Sequence, residues 1–537
     1  MMKYVRFLCL LLAFAAPFSK IKAQVVNHDI EKVTVYKFLD ELANLQLIEL
    51  NTLIKPYSRN LIAEKLSSVN RSLLNKRQLK ELDFFMKDFN KEIHTDKDFD
   101  KRYDVFYYKD SLFSMTVNPI MGGRLWNNEN GTNFHRRNGG ELFGSVGKNW
   151  GYYFALHDNA ERELLQNEEF LNNDPAAVYK GSGDFSDLRA GLTYAWSWGS
   201  VGLLKDNFTW GNNNFGANIV SNKAPSFARV ELKVNPVKWL DFTYYHGSLA
   251  SEVRDSSRSY NAGVRNRNVD VRKFIASNIV TVKPIKHLNI SLGNSIVYSD
   301  NIQAAFFIPF AFFKSIDHVV YSGSGNFGGQ NTQMFLDVSS RNIKGVHLYS
   351  SLYVDEISFS RFFDKDEHSN FVSGKFGVQW SNILDKNIQL TAEYTRTNPV
   401  TYNHFVNTTT YASNNYGLGH YLRDNAQEFA VEVACKPIAR LNVAATYILA
   451  QKGIVYPYTG SRNSNGNVDV WGLDFLSEKR WESSRFAVGA DYELFNDFRF
   501  SVSYAYQNNS GADELLYAPS YFQGETNTFS IGTSIGF

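Results

Sequence analysis

The sequence predicts an all-β transmembrane barrel of about 18 antiparallel strands with a small N-terminal α-helical region. Three observations carry this. From Leu112 onward apolar residues recur at every second position. Short polar links alternate with long polar insertions. The chain of 537 residues ends on TNTFSIGTSIGF (526–537), in which Phe529, Ile531, Thr533, Ile535 and Phe537 share one parity and Ser530, Gly532, Ser534 and Gly536 the other. Alternate side chains of a strand face opposite ways, so this strand has one bulky apolar face and one small polar face. A final strand with a bare edge is a template for aggregation; pairing with an early strand of the same chain closes a barrel and removes the edge.

Composition agrees. The chain is 20% charged and 15% aromatic, with 30 Tyr and 42 Phe. Past residue 23 nothing offers the roughly 18 consecutive apolar residues of a membrane helix. Residues 1–23 read as a secretory signal: Lys3 and Arg6, then an apolar run over 7–18, then a polar stretch ending at Ala23. Cys9 lies in that segment, so after cleavage only Cys435 remains and no internal disulfide is expected. Loss of Lys3, Arg6, Lys20 and Lys22 turns the formal charge of +2 into about −2, which excludes a nucleic-acid footprint.

Residues 24–100 differ from all that follows and predict a periplasmic helical region. Val35, Phe38, Leu39 and Leu42 recur at helical spacing. After Pro56, Ser58 is placed to cap a second helix bearing Leu61, Ile62, Leu66 and Val69. Asn75 and Gln78 form a capping-box pattern ahead of Leu79, Leu82, Phe85, Met86 and Phe89. Three such helices make a marginal core alone, so they are expected to pack on the near end of the barrel.

Residues 101–111 read as a charged connector, and 112–537 as the outer-membrane barrel. Strands are expected to start near 112, 141, 150, 187, 199, 226, 238, 271, 287, 331, 345, 371, 387, 426, 440, 483, 497 and 526. Around 228–234, Ala228, Val230, Leu232 and Val234 alternate with Arg229, Glu231 and Lys233. In a wide barrel the charged parity faces a wet lumen and the apolar parity faces lipid. Links at 148–149, 235–236, 283–286, 384–386, 436–440 and 495–497 are short. Insertions at 161–185, 251–270, 300–329, 398–425 and 453–480 are long and are expected to be extracellular.

No catalytic or metal motif stands out, and no paired nucleophile and base can be named. The 11 His are scattered; His246, His287 and His347 fall in or beside strands. Asp241, Glu393, Glu428 and Glu432 have lumen parity and are expected to be solvated charges balanced by Arg189, Arg229, Lys233 and Arg499. Two insertions stand out. Residues 251–272 carry Arg254, Arg258, Arg265, Arg267 and Arg272 around Tyr260. Guanidinium forks suit carboxylate or phosphate, so Arg254, Arg258, Tyr260, Arg265 and Arg267 are the candidate glycan contacts. The apolar run AAFFIPFAFF (304–313) cannot lie in water without forgoing about 25 cal/mol per Å² of apolar surface. It is expected either to plug the barrel mouth or to insert at the membrane interface.

Several stretches resemble one family. Residues 209–245 carry a Trp-Gly turn, an I-x-S-N-x-A-P segment and a later Trp. Phe307-Ile308-Pro309 leads through a Gly-rich turn to YSSLYVDEI (349–357). Residues 394–420 contain TYNHF and then YGLGH. Together with the helical start, these resemble the capsule-assembly outer-membrane family of the Wzi type. The resemblance implies a barrel of this size, a periplasmic helical bundle and an extracellular lectin face that helps hold capsular polysaccharide or exopolysaccharide at the cell surface. It also implies a non-enzymatic protein without cofactor or metal, whose partners are that polysaccharide, outer-membrane lipid and other envelope export components. No known glycan-contact residue can be carried onto the loops. The alternative is an outer-membrane porin or substrate-specific channel.

Overall fold

The computed structural model describes residues 24–94, 99–181, 183–321, 329–358, 364, 369–462, 464, 466 and 468–536. The expected signal segment, Met1–Ala23, and the terminal Phe537 lie outside them. Among the described residues eighteen antiparallel strands close into one ring. They are β1 (Phe113–Asn128), β2 (Gly131–Val146), β3 (Trp150–Glu161), β4 (Asp184–Trp196), β5 (Gly199–Lys205) and β6 (Ala228–Val237). Then come β7 (Leu240–Leu249), β8 (Lys273–Ile285), β9 (Leu288–Ser299), β10 (Asn331–Ser340), β11 (Val346–Glu356) and β12 (Phe371–Ile383). The ring is completed by β13 (Ile388–Thr397), β14 (Ala426–Cys435), β15 (Leu441–Lys452), β16 (Trp481–Phe495), β17 (Phe498–Ser510) and β18 (Glu525–Ile535). β18 closes on β1, with Phe529 opposite Asn127 and Ile535 opposite Met121. No helix among the described residues is long and apolar enough to cross a membrane.

The two-residue rhythm is realised as grease outside and polarity inside. Leu203, Leu292, Phe376, Phe529 and Ile531 are exposed on the outer face. Ser530 and Ser534 on the other parity are buried inside. Outward Trp150, Tyr194 and Trp380, with Trp198 and Trp239 in the turns, mark one end of the barrel. Toward the other end the hydroxyls of Tyr394, Tyr504 and Tyr506 donate to Gln427, Asn527 and Glu525. Two aromatic belts flanking an apolar band are the signature of a barrel that sits in a bilayer.

Most expected strand starts fall within three residues of the observed ones. β2 is the exception: it begins at Gly131, ten residues before the expected start near 141. The reason is a two-residue turn at Glu129-Asn130 leading into Gly131, whose φ of +108° suits a residue without a side chain. A tight hairpin there breaks the otherwise regular pattern of long loops at that end. The link between β6 and β7 also differs. It lies at Lys238-Trp239, and Asn235-Pro236 belongs to β6, beside a bulge in the pairing.

The turn end is closed by helices. α1 (Val33–Asn44), α2 (Arg59–Ser67) and α3 (Lys76–Ile93) share one core that includes Phe38, Leu39, Leu42, Ile62, Leu66 and Phe85. Ser58 Oγ accepts from Leu61 N at 3.2 Å, and Asn75 and Gln78 form the reciprocal capping box. The bundle meets the ring around its circumference. Lys436 reaches Glu41 at 2.9 Å, Asn496 donates to the Phe84 carbonyl at 2.9 Å, and Gly345 N donates to the Asn44 carbonyl at 2.7 Å. Lys32 bridges Glu141 at 3.0 Å and Asp497 at 2.9 Å.

The apolar run at 304–313 does not plug the mouth. It lies on the outer wall, followed by α4 (Phe313–Tyr321). Beneath it are outward residues of β7, β8 and β9: Phe242, Tyr244, Phe274, Ala276, Ile296 and Tyr298. Phe310 stacks on Phe242 at 4.3 Å and Phe307 on His246 at 4.2 Å. Asn278 and Asn294 would otherwise point polar amides outward from the barrel. Instead Asn278 Nδ2 donates to the carbonyls of Pro309 and Ala311, both at 2.8 Å, and Phe313 N donates to Asn294 Oδ1 at 2.8 Å. Phe307, Ile308, Phe310 and Phe312 remain exposed on the far side, continuous with the apolar band.

Candidate functional site

Two loops from the loop end fold into the lumen and pack there against each other. The first, 206–227, turns at Trp210-Gly211, where Gly211 has φ +102°. Thr209 and Trp210 pair as a short strand with Ile54 and Lys55 of the N-terminal region. Asn212 N donates to Asp337 Oδ2 at 3.0 Å, and Phe215 N donates to Glu393 Oε2 at 3.1 Å. Asn218 Nδ2 donates to the carbonyls of Ser351 at 3.1 Å and Ser373 at 3.0 Å. Side chains of the barrel wall thus satisfy the backbone of a segment that has no sheet of its own.

The second loop, 398–425, lays a tyrosine cluster on the first. Tyr402 OH donates to the Asn218 carbonyl at 2.7 Å, and Tyr411 OH to the Ile219 carbonyl at 3.0 Å. Tyr353 of β11 packs on both rings, with centroids 4.7 and 5.2 Å away. A Cβ on Gly419 would lie 2.2 Å from Tyr402 Cε1, so only glycine fits there. These contacts join Leu53, Phe208, Trp210, Ile219, Val220, Tyr402, Tyr411, Tyr416 and Leu418 into an apolar core inside the ring. Parts of all three stretches singled out in the sequence therefore meet: the Trp-Gly and I-x-S-N-x-A-P residues, YSSLYVDEI of the wall, and TYNHF with YGLGH come together at one plug. Phe307-Ile308-Pro309 of the second stretch instead lies on the outer wall, and its Gly-rich turn, 322–328, lies outside the described residues.

A third loop, 162–183, is pinned to the first by Lys223, which is 3% exposed. Its Nζ donates to Gln166 Oε1 at 3.0 Å, Asn172 Oδ1 at 2.9 Å and the Asp174 carbonyl at 3.2 Å. Burial pushes the Lys223 ammonium down to about 7. Burial raises the Asp424 carboxyl to about 6 against the pull of Lys452, and lowers His404 to about 4. At the turn end burial opposes the charge of Asp88 and Asp497. Arg102, Arg59 and Lys91 outweigh it at Asp88, and Lys32 and Arg102 at Asp497, so both carboxyls sit below the usual carboxylate range. His28 is pushed well below its ordinary value by burial and by Lys32 and Arg59.

Arg254, Arg258, Tyr260, Arg265 and Arg267 stand apart from this plug. They occupy a solvent-exposed projection of 250–272 whose tip is a small hairpin pairing Tyr260 with Arg267. Arg258 is held by Asp255 and donates to the Asp270 carbonyl at 3.0 Å. Arg267 lies over the Tyr260 ring at 5.8 Å. Arg254 bridges through the backbone to Asp270. The lumen charges are not the solvated set expected from parity. Glu393 and Glu428 are buried, Glu393 meeting Lys375 at 2.8 Å and Glu428 accepting from Tyr421 OH, while Asp241 meets Lys283 at 2.7 Å and Arg189 meets Asp29. Among the described residues no group of His, Cys, Asp and Glu is arranged to hold a metal. Cys435 is a free thiol.

No family model matches the sequence, and no curated protein matches it. Among solved structures the chain is similar to Wzi of Escherichia coli, an outer membrane protein involved in group 1 capsule assembly and described as a carbohydrate-binding β-barrel. The identity is 13% and the TM-score 0.56, over 96% of this chain and 100% of that one. OccAB1 of Acinetobacter baumannii aligns at 11% identity and a TM-score of 0.42, over 81% of this chain and 98% of that one. OccD3 of Pseudomonas aeruginosa aligns at 11% and 0.41, over 78% and 90%. The last two scores are too low to carry an argument. The chain has the closed outer-membrane barrel fold seen in Wzi.

Proposed function

We propose that this protein is a non-enzymatic outer-membrane barrel that binds or anchors capsular polysaccharide or exopolysaccharide at the cell surface. The helices would then be periplasmic and the long loops extracellular. The observation that carries the reading is closure at the turn end. α1–α3 bond to the turns and inner walls of the ring, and the loops 206–227 and 398–425 fill one side of the lumen from the other end. A diffusion channel needs a continuous wet path, and this arrangement is built against one. A barrel closed below and elaborated above is suited to holding a ligand on its loop face. The fold shared with a carbohydrate-binding barrel points the same way.

The test is retention. Deleting the gene is expected to release surface polysaccharide into the medium while its total amount stays constant. The purified protein is expected to capture the native polysaccharide and to show no steady conductance in planar bilayers. Normal surface retention in the deletion strain would defeat the reading; a large stable open state would favour the channel alternative. Replacing Arg254, Arg258, Arg265 and Arg267 with Gln reads the contribution of the hairpin.

A further inference from the structure

Among the described residues three arginines inside the ring have no hydrogen-bond or ion-pair partner. Arg124 of β1, Arg485 of β16 and Arg499 of β17 face the lumen by parity. Among the described residues none of them makes a hydrogen bond or an ion pair. Other lumen arginines do: Arg137 meets Glu31 at 2.8 Å and Arg229 meets Asp206 at 2.6 Å. Arg124 is exposed and the other two are half-buried, so they line space rather than core. The surrounding lumen positions carry little bulk: Gly122, Gly489, Ser501, Ser503, Ser530 and Gly532. The hydrogen bonds that anchor loop 206–227 to the wall run to β10–β13, away from these strands.

The spacing keeps the charges apart from counter-ions. Arg124 lies opposite Gly532, Gly532 opposite Ser501, and Ser501 opposite Asp491. Three inter-strand steps put Asp491 about 14 Å from Arg124 at the backbone, too far for an easy pair. Arg499 is two strands and one pleat from Arg124, about 12 Å. Asp174 and Asp491 each act on Arg124 more strongly than Arg499 does, and Asp174 acts on Arg485 more strongly than Arg124 does, but neither carboxylate comes within ion-pair distance of a guanidinium. Guanidinium donors without a bonded acceptor are open to an added anion. The guanidinium fork takes carboxylate or sulfate oxygens in pairs. Beside Arg124, at 5.3 Å, lies the Trp126 ring on the same face, a flat surface suited to a sugar. Below, Arg102 and Lys32 tie Asp497 to the helical bundle, so the chamber is blind at the turn end and a ligand enters from the loops.

We propose that this half of the lumen is a binding chamber for an acidic saccharide, whose carboxylate or sulfate groups are taken by Arg124, Arg485 and Arg499. The saccharide part rests on the function proposed above; the anion part stands on the three unpaired guanidiniums alone. The test is calorimetric titration of the purified full-length protein in detergent with three probes: oligogalacturonate, its neutral methyl ester, and inorganic sulfate. Oligogalacturonate is expected to bind, to weaken as salt is raised, and to lose at least about tenfold in affinity in the R124Q/R485Q/R499Q variant. The methyl ester is expected not to bind. The variant is expected to keep its melting temperature, because no hydrogen bond or ion pair is lost. Equal binding by the variant, equal binding of the methyl ester, or no binding of either anion overturns the chamber. Sulfate binding without oligogalacturonate binding overturns the saccharide assignment. Native polysaccharide held equally by the variant would sink the chamber and leave the surface-retention reading intact. Oligogalacturonate binding by a protein that fails to hold the native polysaccharide would do the reverse.

Discussion

At the scale of single residues, the structure turns on a few charges and one glycine. Lys32 places its ammonium between Glu141 and Asp497, all of them buried or nearly so. Burial opposes that charge, yet Asp497 and Glu141 outweigh burial and raise the Lys32 pKa above its ordinary value. Removing Lys32 leaves Arg102 alone to hold both carboxylates, so the loss stays below the about 3–5 kcal/mol that a wholly uncompensated buried charge costs. Lys32→Met is therefore expected to loosen the bundle from the ring more than Met would by size alone. Thermal unfolding in detergent and protease cutting within 24–94 measure this; an unchanged melting profile would count against the bridge. Gly419 is the second case. A methyl there meets the Tyr402 ring, which must then leave Tyr353 and the Asn218 carbonyl. Overpacking of this kind costs about 1–3 kcal/mol. Gly419→Ala is expected to increase proteolysis of the 398–425 loop while the barrel's heat-resistant mobility on gels is retained. Glycine 419 was visible in the sequence only as part of YGLGH, because the residue that forbids a side chain is 17 positions away in the chain.

At the scale of elements, what the sequence disclosed depended on whether the partner was local. Capping by Ser58 and by the Asn75–Gln78 box is settled within four residues, and both were legible. Strand parity is equally local, so 17 of the 18 starts could be placed closely from alternation alone. The Glu129-Asn130 turn was missed although Asn130-Gly131 within the polar run 127–133 is a hairpin signal, because a tight turn at the loop end departs from the expected alternation of short links and long insertions. The destination of 304–313 was not legible, since only the sheet it covers distinguishes inside from outside. That sheet explains it: Asn278 and Asn294 are amides on the lipid parity, and an unsatisfied amide in hydrocarbon costs several kcal/mol. The segment satisfies them with the carbonyls of Pro309 and Ala311 and the N–H of Phe313 while turning its own phenylalanines outward. A bimane label at Phe310→Cys, in a Cys435→Ser background, is expected to emit in the blue and to be quenched by brominated lipid. Quenching by aqueous iodide instead would place the segment in water and refute its position on the membrane wall. Asn278→Leu with Asn294→Leu is expected to free the segment without unfolding the ring, moving the same label toward water-like emission.

At the scale of the whole molecule, ring and bundle are two bodies joined by a polar seam, and the seam has a pH dependence whose sign follows from its groups. His28 is neutral in the fold; the unfolded or undocked chain takes up a proton near 6.5, so docking weakens as pH falls below that value. Asp88 and Asp497 have lowered carboxyl pKa values, so the stability they contribute is complete above about 4 and is lost as pH falls through the folded values. Lys32 acts in the opposite window: its contribution is complete below about 10.5 and is lost only as pH rises above it. Acid therefore attacks the seam from two directions. The ring depends less on such pairs, because its eighteen strands are joined by backbone hydrogen bonds and its outer band is apolar. Lowering the pH from 7 to about 3 is expected to uncouple the bundle first, His28 acting below about 6.5 and the carboxylates below about 4. Tryptophan and tyrosine signals of the barrel should persist while protease sites in α1–α3 open, and bilayers that are silent at pH 7 should show transient conductance steps. Returning to pH 7 should restore silence, since no covalent link is broken. If acid unfolds bundle and ring together in one transition, the two are a single cooperative unit, and closure of the turn end cannot be treated as a separable plug.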